Sequence, residues 1–121
     1  MDFLPGLFGP RYFLTGEVTV YNFMARLSPH DYGGGTWEFC ERNSEPLYLY
    51  PTSKERYRII CDTNGYEGDV SAEAAGIIAS LFALSHLSFA CESERMSEQF
   101  GKLYAYAADH PEAGEIFRAI D

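Results

Sequence analysis

Three histidines and three cysteines are the side chains of this sequence best suited to nucleophilic chemistry. A serine or cysteine nucleophile needs a histidine base within hydrogen-bond reach and an acid that orients it. His86 and Cys91 are five positions apart on one predicted helix, so they do not face each other. His30 follows a proline in a predicted turn, and His110 precedes one at a predicted helix start. We therefore predict no catalytic residue, with His86 as a hydrogen-bonded core histidine; a hydrolase that uses Cys91 or His86 is the alternative.

The spacing of the possible metal ligands predicts neither a metal site nor a cofactor. The histidines and cysteines form no C-x-x-C or H-x-x-x-H pair. The stretch 62–69 contains acids and glycines, but it lacks the order of a calcium loop, and a hairpin turn at Asn64-Gly65 explains the same residues. The glycines at 33–35 are not followed by G-K-[ST] and precede a strand, so they do not predict a phosphate-binding loop.

Cysteine usage and hydropathy favour a cytoplasmic protein that does not enter a membrane. Cys40, Cys61 and Cys91 are widely spaced, which favours free thiols in a reducing compartment; one Cys40–Cys61 bridge between neighbouring strands is the alternative. Residues 74–91 carry no formal charge over 18 positions, but acids flank them and polar side chains interrupt them. We predict a helix buried in the middle of a soluble domain.

The charge balance argues against a general nucleic-acid binder. The chain has 18 acidic and 9 basic residues, whereas a nucleic-acid binder needs clustered positive charge to displace phosphate counterions. Residues 1–60 hold 7 acids and 6 bases, and residues 61–121 hold 11 acids and 3 bases. The acidity of the second half predicts either a solvated face or a docking surface for a basic partner.

The periodicity of the apolar residues predicts the helices and strands that must position these groups. We predict an irregular N-terminal arm over residues 1–14, and then a helix from Thr15 to about Leu27. Period-2 patterns predict strands at 36–41, 46–50 and 56–61, and a short fourth strand at 66–70. The short connections favour an antiparallel meander. Lys54, Arg56 and Arg58 are expected on an exposed strand face, where their charge opposes further pairing.

The second half of the chain predicts three helices. Ser71 is a good N-cap for a helix that runs to about Cys91 and is apolar on nearly all sides, so it should be covered on more than one face. Ser93 can cap the next helix, and residues 109–112 have the spacing of a capping box for the last one. The predicted class is α+β, in one domain over residues 1–121. About four helices pack on a small antiparallel sheet of three to four strands in the order α-β-β-β-(β)-α-α-α.

Several segments resemble antirestriction proteins of the ArdB/KlcA type. The resemblance begins with FLPGLFG at residues 3–9, GGxxWEF at 33–39 and LYLxP at 47–51, and it includes LFALSH at 81–86. It is most specific in NGYEGDVSAEAAG at 64–76 and in the blocks YAxDHPEA at 106–113 and IFRAID at 116–121. The chain departs from the family at Ser44-Glu-Pro46, where relatives tend to have a glycine-rich hairpin turn.

The resemblance implies a small α+β protein of plasmids and other mobile elements that relieves host type I restriction of incoming DNA. It implies no enzyme activity and no cofactor. Taken together with the charge of the chain, this function predicts a host protein as the partner, either a restriction–modification subunit or another DNA-processing factor, and no direct binding to nucleic acid. The resemblance brings no agreed contact residues, so none is transferred to this chain.

Imitation of duplex DNA is a weaker explanation for the acidity. A chain of this length folds to a diameter of roughly 35 Å, and duplex DNA of that length carries about 20 charges. The whole chain has 18 acids, diluted by 9 bases. A partial DNA mimic and a regulatory module unrelated to restriction stay as alternatives. For protein contact we single out five acids of the second half: Glu67, Asp69, Asp109, Glu112 and Asp121.

Overall fold

The computed structural model describes residues 3–121, so Met1 and Asp2 of the predicted arm lie outside it. Its elements are α1 (Phe3–Phe8), α2 (Phe13–Leu27), β1 (Trp37–Arg42), β2 (Glu45–Pro51), β3 (Arg56–Cys61), β4 (Tyr66–Ser71), α3 (Ala72–Ala90), α4 (Glu94–Ala108) and α5 (Ala113–Ile120). The α+β class and the predicted order are confirmed, with the fourth strand present and one further helix at the N-terminus.

Helix α3 is the centre of the core. Helices α2, α4 and α5 and strand β2 all pack against it. By length and composition α3 is apolar enough to cross a membrane, but 61% of its most apolar window is buried inside the protein, as expected of a core helix. Strand β2 reaches the helix backbone at Gly76, where a Cβ atom would lie 2.5 Å from the Leu49 carbonyl oxygen and overlap the Tyr50 backbone. Only glycine allows this contact.

The prediction of one meander sheet is wrong, because the strands form two separate hairpins. Strand β1 pairs with β2, and β3 pairs with β4, both antiparallel. On β2, the Leu49 N–H and C=O both bond the Ser80 hydroxyl of α3, at 3.4 and 3.3 Å. On β3, the Arg58 N–H donates to Asp31 at 2.7 Å, and its C=O accepts from the Ser28 hydroxyl at 2.8 Å. Side chains therefore occupy backbone groups that a meander would use for pairing β2 with β3.

The irregular arm predicted for residues 1–14 is corrected by helix α1. Leu7 and Phe8 are fully buried, and the Phe8 ring lies over Gly16 of α2 so closely that a Cβ there would overlap it. Burial of these side chains stabilises a six-residue helix that its own sequence would not sustain. Helix α2 begins at Phe13 after Tyr12, so Thr15 is not its N-cap.

Of the three N-caps predicted for the helices of the second half, two are confirmed. The Ser71 hydroxyl accepts from the Ala74 N–H at 3.1 Å, and the Ser93 hydroxyl accepts from the Met96 N–H at 3.2 Å. The predicted capping box at 109–112 is wrong, because Asp109 is the C-cap of α4 and α5 begins only after Glu112.

The β3–β4 turn is bonded to the end of α5. Asn64 donates its side-chain N–H to the Ala119 carbonyl at 2.9 Å, and its side-chain oxygen accepts from the Tyr66 N–H at 2.9 Å. Gly65 has a φ of 75°, a conformation that favours glycine. The Tyr66 hydroxyl donates to Glu115 of α5 at 2.8 Å and lies where a side chain at Gly68 would collide with it. Packing and hydrogen bonds thus account for several residues of 64–76, the segment most specific in the family resemblance.

We expect Gly76→Ala to destabilise the protein by about 1–3 kcal/mol, because the added methyl group overlaps the backbone of β2. The matched control is Gly101→Ala on α4, where nothing lies within 4 Å of the new methyl group and the better helix propensity of alanine should add up to about 1 kcal/mol. Urea unfolding of both variants measures the difference. Equal stabilities would contradict the close approach at Gly76.

A second prediction concerns alkaline pH. Burial and the hydrogen bond to Glu115 raise the pKa of Tyr66 from 10.0 to about 12. Between these values the unfolded phenol ionises while the folded one stays protonated, so the contribution of Tyr66 to the free energy of unfolding falls as pH rises. The stability gap between wild type and Tyr66→Phe, measured by urea unfolding, should narrow from pH 10 to 12. A constant gap would reject the assignment.

Candidate functional site

The groups suited to nucleophilic chemistry lie on separate parts of the protein. His30 and His86 are exposed, and His110 lies in the turn before α5, where its Nδ1 accepts from the Glu112 N–H at 3.0 Å. The prediction of His86 as a core histidine is wrong. His86 is exposed on α3 beside the Phe23 ring, and Phe89, three positions further on, is 82% exposed.

The cysteines are three free thiols, so the alternative of a Cys40–Cys61 bridge does not hold. Cys61 is buried, whereas Cys40 and Cys91 are half-buried. Burial raises the pKa of the Cys40 thiol, which disfavours the thiolate that a nucleophile requires. Within residues 3–121, no cluster of three or more His, Cys, Asp or Glu side chains is placed to hold a metal ion.

The first charged surface is the outer face of the β3–β4 hairpin. The three basic residues there are exposed, as predicted, and each is paired with an acid: Lys54 with Asp31 at 3.3 Å, Arg58 with Glu67 at 2.8 Å, and Arg56 with Asp69. The Arg58 N–H and the Lys54 ammonium lower the pKa of Asp31. Exposed pairs of this kind contribute little to stability, but they cancel charge locally. This face therefore has little net charge to offer a partner.

The second charged surface is an open groove between the β1–β2 turn and α4. It consists of two adjoining depressions of about 560 and 390 Å³ that share Glu45, Pro46 and Lys102 in their walls. At the β1–β2 turn, Asn43 and Ser44 have φ values of 53° and 64°, so both residues of the turn are left-handed although neither is glycine. Lys102 and Glu45 form a 3.6 Å ion pair across the groove.

One buried polar group of this groove has no partner in the fold. Gln99 lies on the inner face of α4, is only 8% exposed and lines the larger depression. Its side-chain oxygen is buried and accepts no hydrogen bond within residues 3–121. Gln99 is not among the predicted contact residues. The only sequence signal for it is its place between Met96 and Leu103 on the apolar side of α4, where a polar residue is unexpected.

Asp109, one of the five predicted contact residues, lies at the far end of the same groove. It is exposed at the C-terminus of α4, where the helix dipole disfavours a negative charge, and no basic residue stands in the last turn. The acids Glu94 and Glu98 line the opposite end. None of these three carboxylates forms an ion pair within residues 3–121.

The other four predicted contact residues are not brought together with Asp109. Glu67 and Asp69 are paired with arginines on the β4 face. Glu112 accepts from the Ser71 N–H at 3.0 Å and also from its hydroxyl, so it joins α5 to the start of α3. Asp121 is exposed after α5. The contact role of all five residues stays a prediction.

Several known proteins are similar to this chain in sequence. A family model described as "Antirestriction protein" matches residues 30–121. An antirestriction protein KlcA of Escherichia coli is 41% identical, over 100% of this chain and 87% of its own length, and a second KlcA of the same species is 40% identical over 100% and 86%. The uncharacterized protein YafX of Escherichia coli K12 is 35% identical, over 100% and 81%.

A solved structure aligns with a TM-score of 0.87 and 39% identity, over 99% of this chain and 87% of the other. It comes from work on the KlcA and ArdB proteins, which are described as having a novel fold and antirestriction activity against type I DNA restriction systems in vivo but not in vitro. The similarity extends over both hairpins and all the helices described above.

Replacement of Gln99 by methionine tests whether the buried amide serves the fold. Methionine has a similar shape and no carbonyl to leave unsatisfied, so we expect Gln99→Met to raise the free energy of unfolding by about 1 kcal/mol. Glu98→Gln, one position away and exposed, is the control with little expected change. Urea unfolding measures both. Marked destabilisation by Gln99→Met would mean that the amide has a structural partner.

Proposed function

Because the chain belongs to the antirestriction protein family, we propose that it relieves type I restriction of incoming mobile-element DNA, in the cytoplasm, by contact with a host protein and without catalysis. The observation that carries the proposal is the 0.87 TM-score at 39% identity to proteins whose activity is directed against type I systems. At this similarity the fold is shared over nearly the whole chain.

The difference between the activities of the relatives in vivo and in vitro indicates what kind of partner to expect. Those proteins act in cells but not in vitro. An inhibitor that simply blocked the restriction enzyme would act in both settings, because binding alone is sufficient for occlusion. This supports a partner that the cell supplies, namely a DNA-processing factor of the host or a restriction subunit in a cellular assembly.

The geometry supports binding to a partner protein better than it supports catalysis. Catalysis by a nucleophile needs a base within hydrogen-bond reach of it. Within residues 3–121 the three histidines are on separate elements, and the Cys40 thiol has a raised pKa. The charged groove beside α4 offers carboxylates and a buried amide to a partner.

Imitation of duplex DNA is less well supported than contact through a mixed surface. Five acids of the described chain are held in ion pairs with bases: Asp31, Glu45, Glu67, Asp69 and Glu115. Pairing lowers the charge density further below the one charge per ~1.7 Å that duplex DNA presents.

Plating of unmodified phage tests the proposal directly. On a host with an active type I system, expression of the chain should raise the plating efficiency towards that of modified phage. A host without the restriction system is the control, and there expression should have no effect. Equal plating with and without the chain on the restricting host would reject the proposed function.

The non-catalytic mechanism has its own test in the same assay. His86→Ala and Cys91→Ser should each retain full antirestriction activity, because neither side chain has a chemical role in the proposal. Circular dichroism checks that both variants are folded. Loss of activity in a folded variant would support the hydrolase alternative instead.

A further inference from the structure

We propose that the groove between the β1–β2 turn and α4 binds an extended segment of the partner protein that carries arginine or lysine side chains. The segment would lie along α4, with Gln99 on the groove floor and carboxylates at both ends. This inference rests on the proposed function, because it assigns the contact surface and the chemistry of the partner.

Four side-chain acceptors of this groove have no partner in the part of the chain that the structure describes. The Gln99 side-chain oxygen is buried and accepts no bond within residues 3–121. The carboxylates of Glu94, Glu98 and Asp109 have no ion partner in the same part of the chain. A buried acceptor without a donor is rare in proteins, so an N–H donor from a partner would compensate for its lost hydration. The complementary ligand is therefore rich in N–H donors and positively charged.

The basic residues of the groove are already engaged. Lys102 pairs with Glu45 at 3.6 Å, and Arg95 donates to the Gly6 carbonyl at 3.4 Å. The Arg42 guanidinium lies over the Tyr106 ring, 5.5 Å from its centroid. The ion pair with Glu45 cancels the charge of Lys102 and so reduces the repulsion that a cationic segment would meet. Nucleic acid does not fit the same groove, because its phosphates would face the free carboxylates.

The length of the groove sets the length of the segment. At 1.5 Å per residue, α4 places Asp109 about 22 Å from Glu94 and about 16 Å from Glu98. An extended peptide advances ~3.3 Å per residue, so two cationic side chains about five residues apart would reach Glu98 and Asp109 together. The backbone between them would pass over Gln99, whose amide can pair with a peptide group.

The test uses the hexapeptide acetyl-RGSGSR-amide as the probe, titrated into the ¹⁵N-labelled full chain and followed by NMR. Amide shifts should change along α4 and at the β1–β2 turn. Asp109→Asn should raise the dissociation constant roughly tenfold, as expected for the loss of one charge-assisted hydrogen bond, and Gln99→Met should raise it about fivefold, as expected for the loss of a neutral one. Glu38→Gln, an exposed acid on β1 with the same charge change as Asp109→Asn, should leave it unchanged.

Several results would overturn the groove assignment. They are shifts confined to other surfaces, equal weakening by Glu38→Gln and Asp109→Asn, and equally tight binding of spermidine or of acetyl-QGSGSQ-amide. Unfolding curves accompany each titration, and because Asp109 is exposed, its variant keeps the test decisive if Gln99→Met is misfolded.

The plating assay separates failure of this inference from failure of the proposed function. If wild type relieves restriction and both groove variants do so fully, the groove assignment is wrong and the proposed function stands. If wild type gives no relief, the proposed function is wrong, and the peptide titration alone decides whether the groove binds cationic segments. Loss of relief in both folded variants, with Glu38→Gln active, supports both.

Discussion

The placement of the two hairpins depends on which side chains bond the free backbone N–H and C=O groups of strands β2 and β3. A strand edge left without partners exposes backbone groups that must be bonded elsewhere. On β2 the Ser80 hydroxyl serves both groups of Leu49, and on β3 Ser28 and Asp31 serve those of Arg58. Gly76 makes the first contact possible, because it lets α3 approach the β2 backbone. Side chains of α3 and of the segment after α2 thus keep the two hairpins apart.

Local signals predicted the elements well, because they act over a few residues. Ser71 and Ser93 cap the helices that follow them, and Asn64-Gly65 makes the turn that its sequence indicates. The separation of the sheets could not be predicted in this way, since the serine bonded to Leu49 is 31 positions away. Helix α1 was missed for the same reason: its stability comes from burial of Leu7 and Phe8 against distant elements.

The site was less predictable than the fold. Net charge directed the prediction of contact residues to the second half of the chain, but it does not distinguish free acids from paired ones. Glu67 and Asp69 turned out to be neutralised by arginines of the preceding strand, whereas Asp109 is free. That distinction depends on the cross-strand register of β3 and β4, which sequence periodicity does not give. Gln99 was hidden because a single polar residue hardly changes the amphipathic pattern of α4.

Two residues of the groove oppose the stability of the fold that carries them. The buried Gln99 oxygen loses its hydration without gaining a donor, and Asp109 places a negative charge at the negative end of a helix. Departures from local rules of this kind are expected at functional surfaces. A protein that acts by contact has only its surface groups with which to recognise a partner. Groups that a ligand would satisfy, and the fold does not, are therefore the strongest structural reason to place recognition beside α4.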